Sequence, residues 1–394
     1  MRIATCTPVD FAADAQFFGR DSGLLCRGFQ AAGHDAFVVM PGALRPDDEP
    51  GVVRCTRAEM SSESWWHALG VEVVVLYAWG DPRYQAVAEA IRAAGIVLVQ
   101  SLDTAGLHTP WGDFREWSRC LVGLLAAESQ PRRMARHLAK ALRDLFPAVY
   151  ENQRLGMMDC SDRVAVVSPP AARSITAYAS SLGHSRITSK ILVVPHPVAP
   201  LMKPSEHQKL PKVLVVGRWT AEDRAQKDPM LTMAVLGKFL ETCPEWSAEV
   251  VGRGSTALRS LAADWKNDAA SRLTLTEAVP RTQLIERYQQ SRILLCCSRY
   301  ESFHISSAEA LCCGGSIVVA DHPLLASTGW FTTKDSGTLA PNRSASALIK
   351  ALTREAEAWR QGGRNPQRIS SEWRQLLHAD RVATGMLDAL RLKS

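Results

Sequence analysis

The sequence is short of several features that would define its class at once. Nothing among its 394 residues forms an apolar run long enough to span a bilayer. The opening residues, Met1-Arg2-Ile3-Ala4-Thr5-Cys6, read directly as a β-type segment without the apolar stretch of a signal peptide. A cytoplasmic protein is therefore expected. The ten cysteines contain no CxxC and no other spacing that suits zinc, and the vicinal pairs Cys296-Cys297 and Cys312-Cys313 sit in apolar runs, which reads as buried free thiols. No basic-aromatic tract, zinc knuckle or helix-turn-helix pattern accompanies the formal charge of +6, so nucleic acid is not the implied partner. The mild excess of cations suits acidic substrates, anionic lipid heads or simple solubility.

What is present is ordinary globular composition, 46% hydrophobic and 22% charged. A chain of this length suggests two domains, each with its own core. Short β-branched runs at 2–6, 36–40, 71–77, 96–100 and 163–167 alternate with helical spacing at 23–33, 82–94 and 171–182. The second half repeats the pattern, with strands at 212–216, 248–251, 272–275, 293–297 and 316–320, and helices at 229–240, 257–266, 281–290 and 306–313. Such alternation predicts two mostly parallel α/β sheets, doubly wound and Rossmann-like, facing a central cleft into which the carboxyl ends of the strands deliver their loops. Pro197, Pro200, Pro204 and Pro211 interrupt regular structure between the halves. The expected boundaries are 1–198 for the first domain, 199–211 for a linker and 212–362 for the second domain. Residues 363–394 are expected as C-terminal helices that pack back on the first domain, with 366–390 read as one helix.

The densest signal is ILLCCSRYESFHISSAEALCCGGSIVVAD at 293–321. It reads as a strand, a loop with Glu301, a helix starting near His304 and holding Glu309, a Gly-Gly stop and a second strand. Helix amino ends offer unpaired amides that suit phosphate, and two carboxylates at different depths can contact different parts of one ligand. A capping role for Glu301 and a solvated face for Glu309 are the plainer readings. The apolar neighbours Ala308, Ala310 and Leu311 argue against the solvated face.

This segment resembles the E-x7-E signature of family 4 of the retaining glycosyltransferases, which have the GT-B fold. The resemblance implies that Glu301 contacts a donor sugar and Glu309 its ribose, with Phe303, His304 and Ile305 lining the donor between them. Upstream, Gly217-Arg218 after a strand and Lys227-Asp228-Pro229 resemble the family's GR…KDP element, so Arg218 and Lys227 are implied to hold the donor diphosphate. VVGRG at 250–254, with Gly252, and GTLAP at 337–341 follow the same pattern. Preorganised cations of this kind stabilise the charge that grows on a departing diphosphate. No DxD pair follows a strand, so no metal is expected. A nucleotide-sugar donor (UDP-, GDP-, ADP- or dTDP-sugar) is implied, with a hydroxyl acceptor on a glycan, a lipid-linked saccharide or a small molecule, in polysaccharide biosynthesis or related chemistry.

In the first half the likeness is thinner. FFGRDSGLLCRGF from Phe17 is similar to the family's opening loop, with Gly19 and Gly23 in place of the usual Gly-Gly pair, and Gly19 is the candidate for a close backbone approach to the donor. His196-Pro197 replace the usual Asn-Gly. Where the family carries His-Asp near the reacting carbon this chain has Leu102-Asp103, with His108 further on, so either Asp103 or His108 is the candidate to face the sugar. His304 stands where Gly is usual and would narrow the sugar pocket or cap the helix. Two further readings stay open: a nucleotide-sugar 2-epimerase of the same fold, and a nucleotide-sugar-binding subunit without turnover.

Residues 131–146, PRRMARHLAKALRDLF, place Met134, Leu138, Leu142 and Leu145 on one helical stripe and Arg132, Arg136, Lys140 and Arg143 on the other side. The stripe is narrow, which favours a surface helix packed on its own domain. A basic amphipathic helix would alternatively lie on an anionic membrane, placing the protein at the inner face of that membrane beside a lipid-linked acceptor.

Overall fold

The structure, a computed structural model, describes residues 1–103, 114–128, 130–146, 150–266 and 268–391. It divides into two compact units: 1–125, 130–199 and 376–394 form the first, and 126–129 with 200–375 the second.

The first unit is built on a seven-stranded parallel sheet in the order β3-β2-β1-β4-β5-β6-β7. Its strands are β1 (Arg2–Cys6), β2 (Asp35–Pro41), β3 (Val52–Cys55), β4 (Val73–Leu76), β5 (Val97–Leu102), β6 (Arg163–Val166) and β7 (Ile191–Val193). Strands buried on both faces are apolar throughout, and alternate residues feed two cores. Ile3, Val38 and Val75 pack with Leu25, Phe29 and Met386 on one face. Ala4, Val39 and Leu76 pack with Trp66 and Ile91 on the other. The helix Ala379–Arg391 lies against the helix Asp21–Ala31. Their contact requires Gly28, where an added Cβ would sit 2.3 Å from the carbonyl oxygen of Ala379.

The second unit repeats the winding with six parallel strands in the order β10-β9-β8-β11-β12-β13. These are β8 (Leu210–Val216), β9 (Ser247–Val251), β10 (Leu273–Thr276), β11 (Ser291–Leu295), β12 (Ser316–Ala320) and β13 (Gly337–Ala340). In both sheets the strand order reverses beside the first strand, between β1 and β4 and between β8 and β11. Loops at those carboxyl ends splay apart and leave room for a ligand.

Several sequence expectations need correcting. β3, β7 and β13 are edge or near-edge strands of three or four residues, too short to show a period. The segment expected as a helix at 257–266 is a 3-10 run, Ser255–Ala262. The single helix expected over 366–390 is two, Pro366–Leu377 and Ala379–Arg391. They part at His378, which bridges to Val198 in the first unit, while Ser370 donates to the Cys312 carbonyl in the second. Cys6, Cys26, Cys55, Cys160, Cys243, Cys296, Cys297, Cys312 and Cys313 are free, and of these all are buried except half-buried Cys160, as the apolar runs imply. No described helix is long and apolar enough to cross a membrane.

Candidate functional site

In the second unit, the loops after β8, β9 and β11 meet at the strand-order reversal. β8 ends at Gly217-Arg218, and the short helix Arg224–Lys227 follows. Gly252, directly after β9, has φ 131°, and a Cβ there would lie 1.8 Å from the Gly217 carbonyl oxygen. Close backbone packing thus accounts for glycine at 252 without any ligand. After β11 the chain runs through Glu301 to the helix Ile305–Cys312, whose N-cap is His304 in the left-handed region at φ 66°.

Lys227 reaches Glu301 in an ion pair of 2.5 Å, with both side chains almost fully buried. Gln226 donates to the other carboxylate oxygen of Glu301 at 3.3 Å and to the Tyr300 carbonyl at 3.1 Å. Arg218 is largely exposed and pairs with Asp223 at 3.1 Å. It follows Gly217, whose Cα faces the stem of Lys227. Glu309 is 3% exposed, so the solvated face is ruled out, and Arg281 meets its carboxylate at 2.7 Å. Phe303 is buried against Phe331, a placement that fits core packing. Asp228, beside Lys227, has φ 48° and caps the helix Pro229–Thr242. Its carboxylate holds Arg299 and Arg343, each at 2.9 Å, which ties the β11 loop to the segment after β13.

Burial lowers the His304 pKa from 6.5 to about 4, with Glu301 opposing and Lys227 reinforcing, so the ring is neutral at pH 7. Its Nδ1 is 2.6 Å from the Ser307 hydroxyl. Burial pushes the Glu301 carboxyl up, yet the cations near it hold it below its ordinary value. The groups that lower it are His304, then Lys227 by charge and hydrogen bond, then the Ser298 hydrogen bond. Among the described residues, Cys296, Glu301 and His304 could offer a metal ion three ligand atoms lying within 4.8 Å of one another. Two features oppose an ion there: Lys227 already places a cation on Glu301, and burial raises the Cys296 thiol to about 11.

In the first unit, a cavity of about 260 Å³ opens at the carboxyl ends of β1 and β4. Phe11, Phe17 and Trp79 give it aromatic walls, and Asp14, Asp21 and Asp103 bring carboxylates. His196, also in its lining, is 5% exposed and lies 2.9 Å from Asp103 and 3.6 Å from Asp21. Burial disfavours the imidazolium, but Asp103, by charge and hydrogen bond, and then Asp21 raise its pKa from 6.5 to about 9. His196 is therefore charged at neutral pH. Gly19 does not line this cavity, and His108 lies outside the described residues.

Lys227, Glu301 and His304 are thus in direct reach of one another, with Glu309 on the helix that His304 caps, while Arg218 is exposed and paired with Asp223. Sequence reasoning missed Arg281 and Gln226, which carry no local signal. It also gave His196 no role, although the departure from Asn-Gly marked that position.

Residues 201–362 match the family described as "Glycosyl transferases group 1". No curated protein is significantly similar to the chain in sequence. Among solved structures, the apo form of the lipopolysaccharide outer core galactosyltransferase WaaB aligns over 100% of both chains at 13% identity and a TM-score of 0.66. HepE from Anabaena, in complex with UDP, aligns over 99% of this chain and 100% of its own at 13% identity and a TM-score of 0.65. Sucrose-phosphate synthase from Thermosynechococcus elongatus aligns over 99% and 98% at 16% identity and a TM-score of 0.60. At such identities the likeness defines the fold, which is GT-B: two Rossmann-like α/β units on parallel sheets.

Proposed function

We propose that the protein is a retaining, metal-independent glycosyltransferase that moves a sugar from a nucleotide-sugar to a hydroxyl acceptor. The observation that carries this reading is the buried Lys227–Glu301 pair at the carboxyl ends of β8 and β11. It adjoins the amino end of a helix that holds a second buried carboxylate, Glu309. Without a ligand each candidate group is satisfied by another: Lys227 by Glu301, Arg218 by Asp223, Glu309 by Arg281. A donor substitutes for these partners. Its diphosphate takes Lys227, Arg218 and the helix-end amides, its sugar hydroxyls donate to Glu301, and its ribose hydroxyls to Glu309.

Cleavage of the bond from C1 to the phosphate oxygen leaves an oxocarbenium-like sugar and a diphosphate with added negative charge. Lys227 and Arg218 stabilise that charge. The acceptor hydroxyl attacks C1 from the face the phosphate leaves, and its proton passes to the leaving phosphate oxygen. Glu301 orients the sugar and forms no covalent bond. The aromatic walls and carboxylates of the first unit's cavity suit the acceptor, since rings stack on apolar sugar faces and carboxylates accept from hydroxyls. The family match of the second unit and the bound UDP of HepE support a nucleotide-sugar donor.

The test is acceptor-dependent release of nucleoside diphosphate by the purified protein, with donors based on UDP, GDP, ADP and dTDP and a panel of saccharide acceptors. The expected result is release only with acceptor present, and a product that keeps the donor's anomeric configuration by NMR. Isomerisation of the donor without acceptor would identify a 2-epimerase, and donor binding without release a binding subunit. An inverted product would overturn retention.

A further inference from the structure

At the amino ends of β8 and β11, a second cavity in the second unit gathers cations that no carboxylate pairs. Its volume is about 370 Å³, and it lies between the segment 204–209 leading into β8 and the turn after the helix Ala345–Arg360. That size falls among small-molecule sites, roughly 300–1,000 Å³. Lys209 and Arg292 both line it. Lys209 is 5% exposed, and its ammonium donates to the carbonyls of Tyr288, Gln289 and Ser291. Arg292 is held in place: its Nε donates to the Lys209 carbonyl at 3.1 Å, and its guanidinium carbon lies 6.0 Å from the Trp246 ring and 5.7 Å from that of Trp359. Nη1 and Nη2 of Arg292 have no hydrogen-bond or ion-pair partner among the described residues. Burial lowers the pKa of both cations, with only the Cys313 thiol opposing it at Lys209. Arg364, also in the lining, is already neutralised by buried Glu355 at 2.6 Å. Glu206, the one acidic residue of the lining, is exposed and forms no ion pair among the described residues.

We propose that this cavity is a binding site for a small phosphate monoester, recognised by the Nη edge of Arg292, with Lys209 supplying a second positive charge. A buried ammonium beside an unpaired guanidinium is charge without a counter-ion, and an anion in the cavity removes that cost. The free edge of a fixed arginine offers two parallel N–H donors, which match two oxygens of a phosphoryl group. A phosphoryl group alone fills only part of the cavity, which leaves room for the organic part of a monoester. The site is at the opposite end of the sheet from the loops that carry Arg218, Lys227 and Glu301. It therefore stands apart from the donor diphosphate, and the proposal invokes neither donor binding nor turnover.

The test is a titration at constant ionic strength with inorganic phosphate and with glycerol phosphate, using glycerol as the neutral control. It is followed by NMR at the Trp359 indole N–H, assigned with Trp359→Phe. Wild type should show a saturable shift with both phosphates and none with glycerol. Arg292→Gln should bind at least about tenfold more weakly, having lost the charged fork. Gln367→Glu puts a carboxylate into the lining at an exposed position in the first turn of the helix Pro366–Leu377, where negative charge is tolerated. It should melt like wild type and also bind on the order of tenfold more weakly, so it decides the matter if Arg292→Gln fails to fold. Lys227→Ala should bind both phosphates at this site as wild type does. No saturable shift in wild type, undiminished affinity in either folded lining variant, or loss of the shift in Lys227→Ala would overturn the proposal.

Discussion

Replacing His196 by Asn removes a buried cation from between two carboxylates, and its effect depends on pH in a calculable way. The imidazole ionises near 6.5 in an unfolded chain, and at about 9 in the fold, where Asp103 and Asp21 outweigh burial. A raised pKa of this kind adds stability that is complete below about 6.5 and disappears as pH climbs through about 9. At ~1.4 kcal/mol per pKa unit the contribution is about 3 kcal/mol, an order-of-magnitude figure for a ring that is almost wholly buried. The first unit of wild type should therefore lose on the order of 5–10 °C in melting temperature relative to His196→Asn between pH 6.5 and 9.5. Lys209 works in the opposite sense in the second unit: burial lowers its pKa from 10.5 to about 8, so its fold gains stability as pH rises above 8. Both proteins contain Lys209, so it cancels in the comparison. The His196 ring signal followed by NMR should titrate near 9 in wild type and well below that in Asp103→Asn. Parallel pH profiles for wild type and His196→Asn, or a ring that titrates at 6.5, would refute the reasoning.

Three other perturbations have defined outcomes. Arg281→Ala leaves Glu309 buried without its cation and should cost about 1–3 kcal/mol in denaturant unfolding, most of it restored by adding Glu309→Gln; purely additive losses would count against the pair. Lys209 donates to the carbonyls of Tyr288, Gln289 and Ser291 at 2.8, 2.9 and 3.0 Å. Lys209→Met should destabilise the second unit by about 2 kcal/mol in urea titrations, with donor affinity unchanged. Gly252→Ala forces a Cβ against the Gly217 carbonyl in a left-handed backbone, so stability should fall by about 3 kcal/mol or more. A Gly252→Ala protein that melts like wild type would show that the turn relaxes freely.

The architecture was legible because strands covered on both faces are continuous apolar runs, and because helix signals such as Pro229 and Gly314-Gly315 punctuate them. The central strands and the helix Arg281–Gln290 follow from that patterning alone. Val52–Cys55 and Gly337–Ala340 did not stand out, since four residues at a sheet edge carry no period. The break at His378 was invisible for a different reason: a pairing with Val198, far away in sequence, stops the helix there. Lys227 and Glu301 were singled out by their local motifs, and the structure adds that they meet. Arg281 was not, because an arginine opening a surface helix looks like any other until Glu309 appears beneath it. His196 illustrates the same limit: its charge state comes from Asp103 and Asp21, which lie on two other segments.

The central claim is that Lys227 and Glu309 grip the two ends of a nucleotide diphosphate. Calorimetric titration of wild type, Lys227→Ala and Glu309→Ala with UDP, GDP, ADP and dTDP tests it most directly. Wild type should bind at least one of the four, and each variant should bind that nucleotide on the order of tenfold or more weakly, the loss of one charge-assisted hydrogen bond. Undiminished affinity in both folded variants, or no binding of any of the four by wild type, would contradict it.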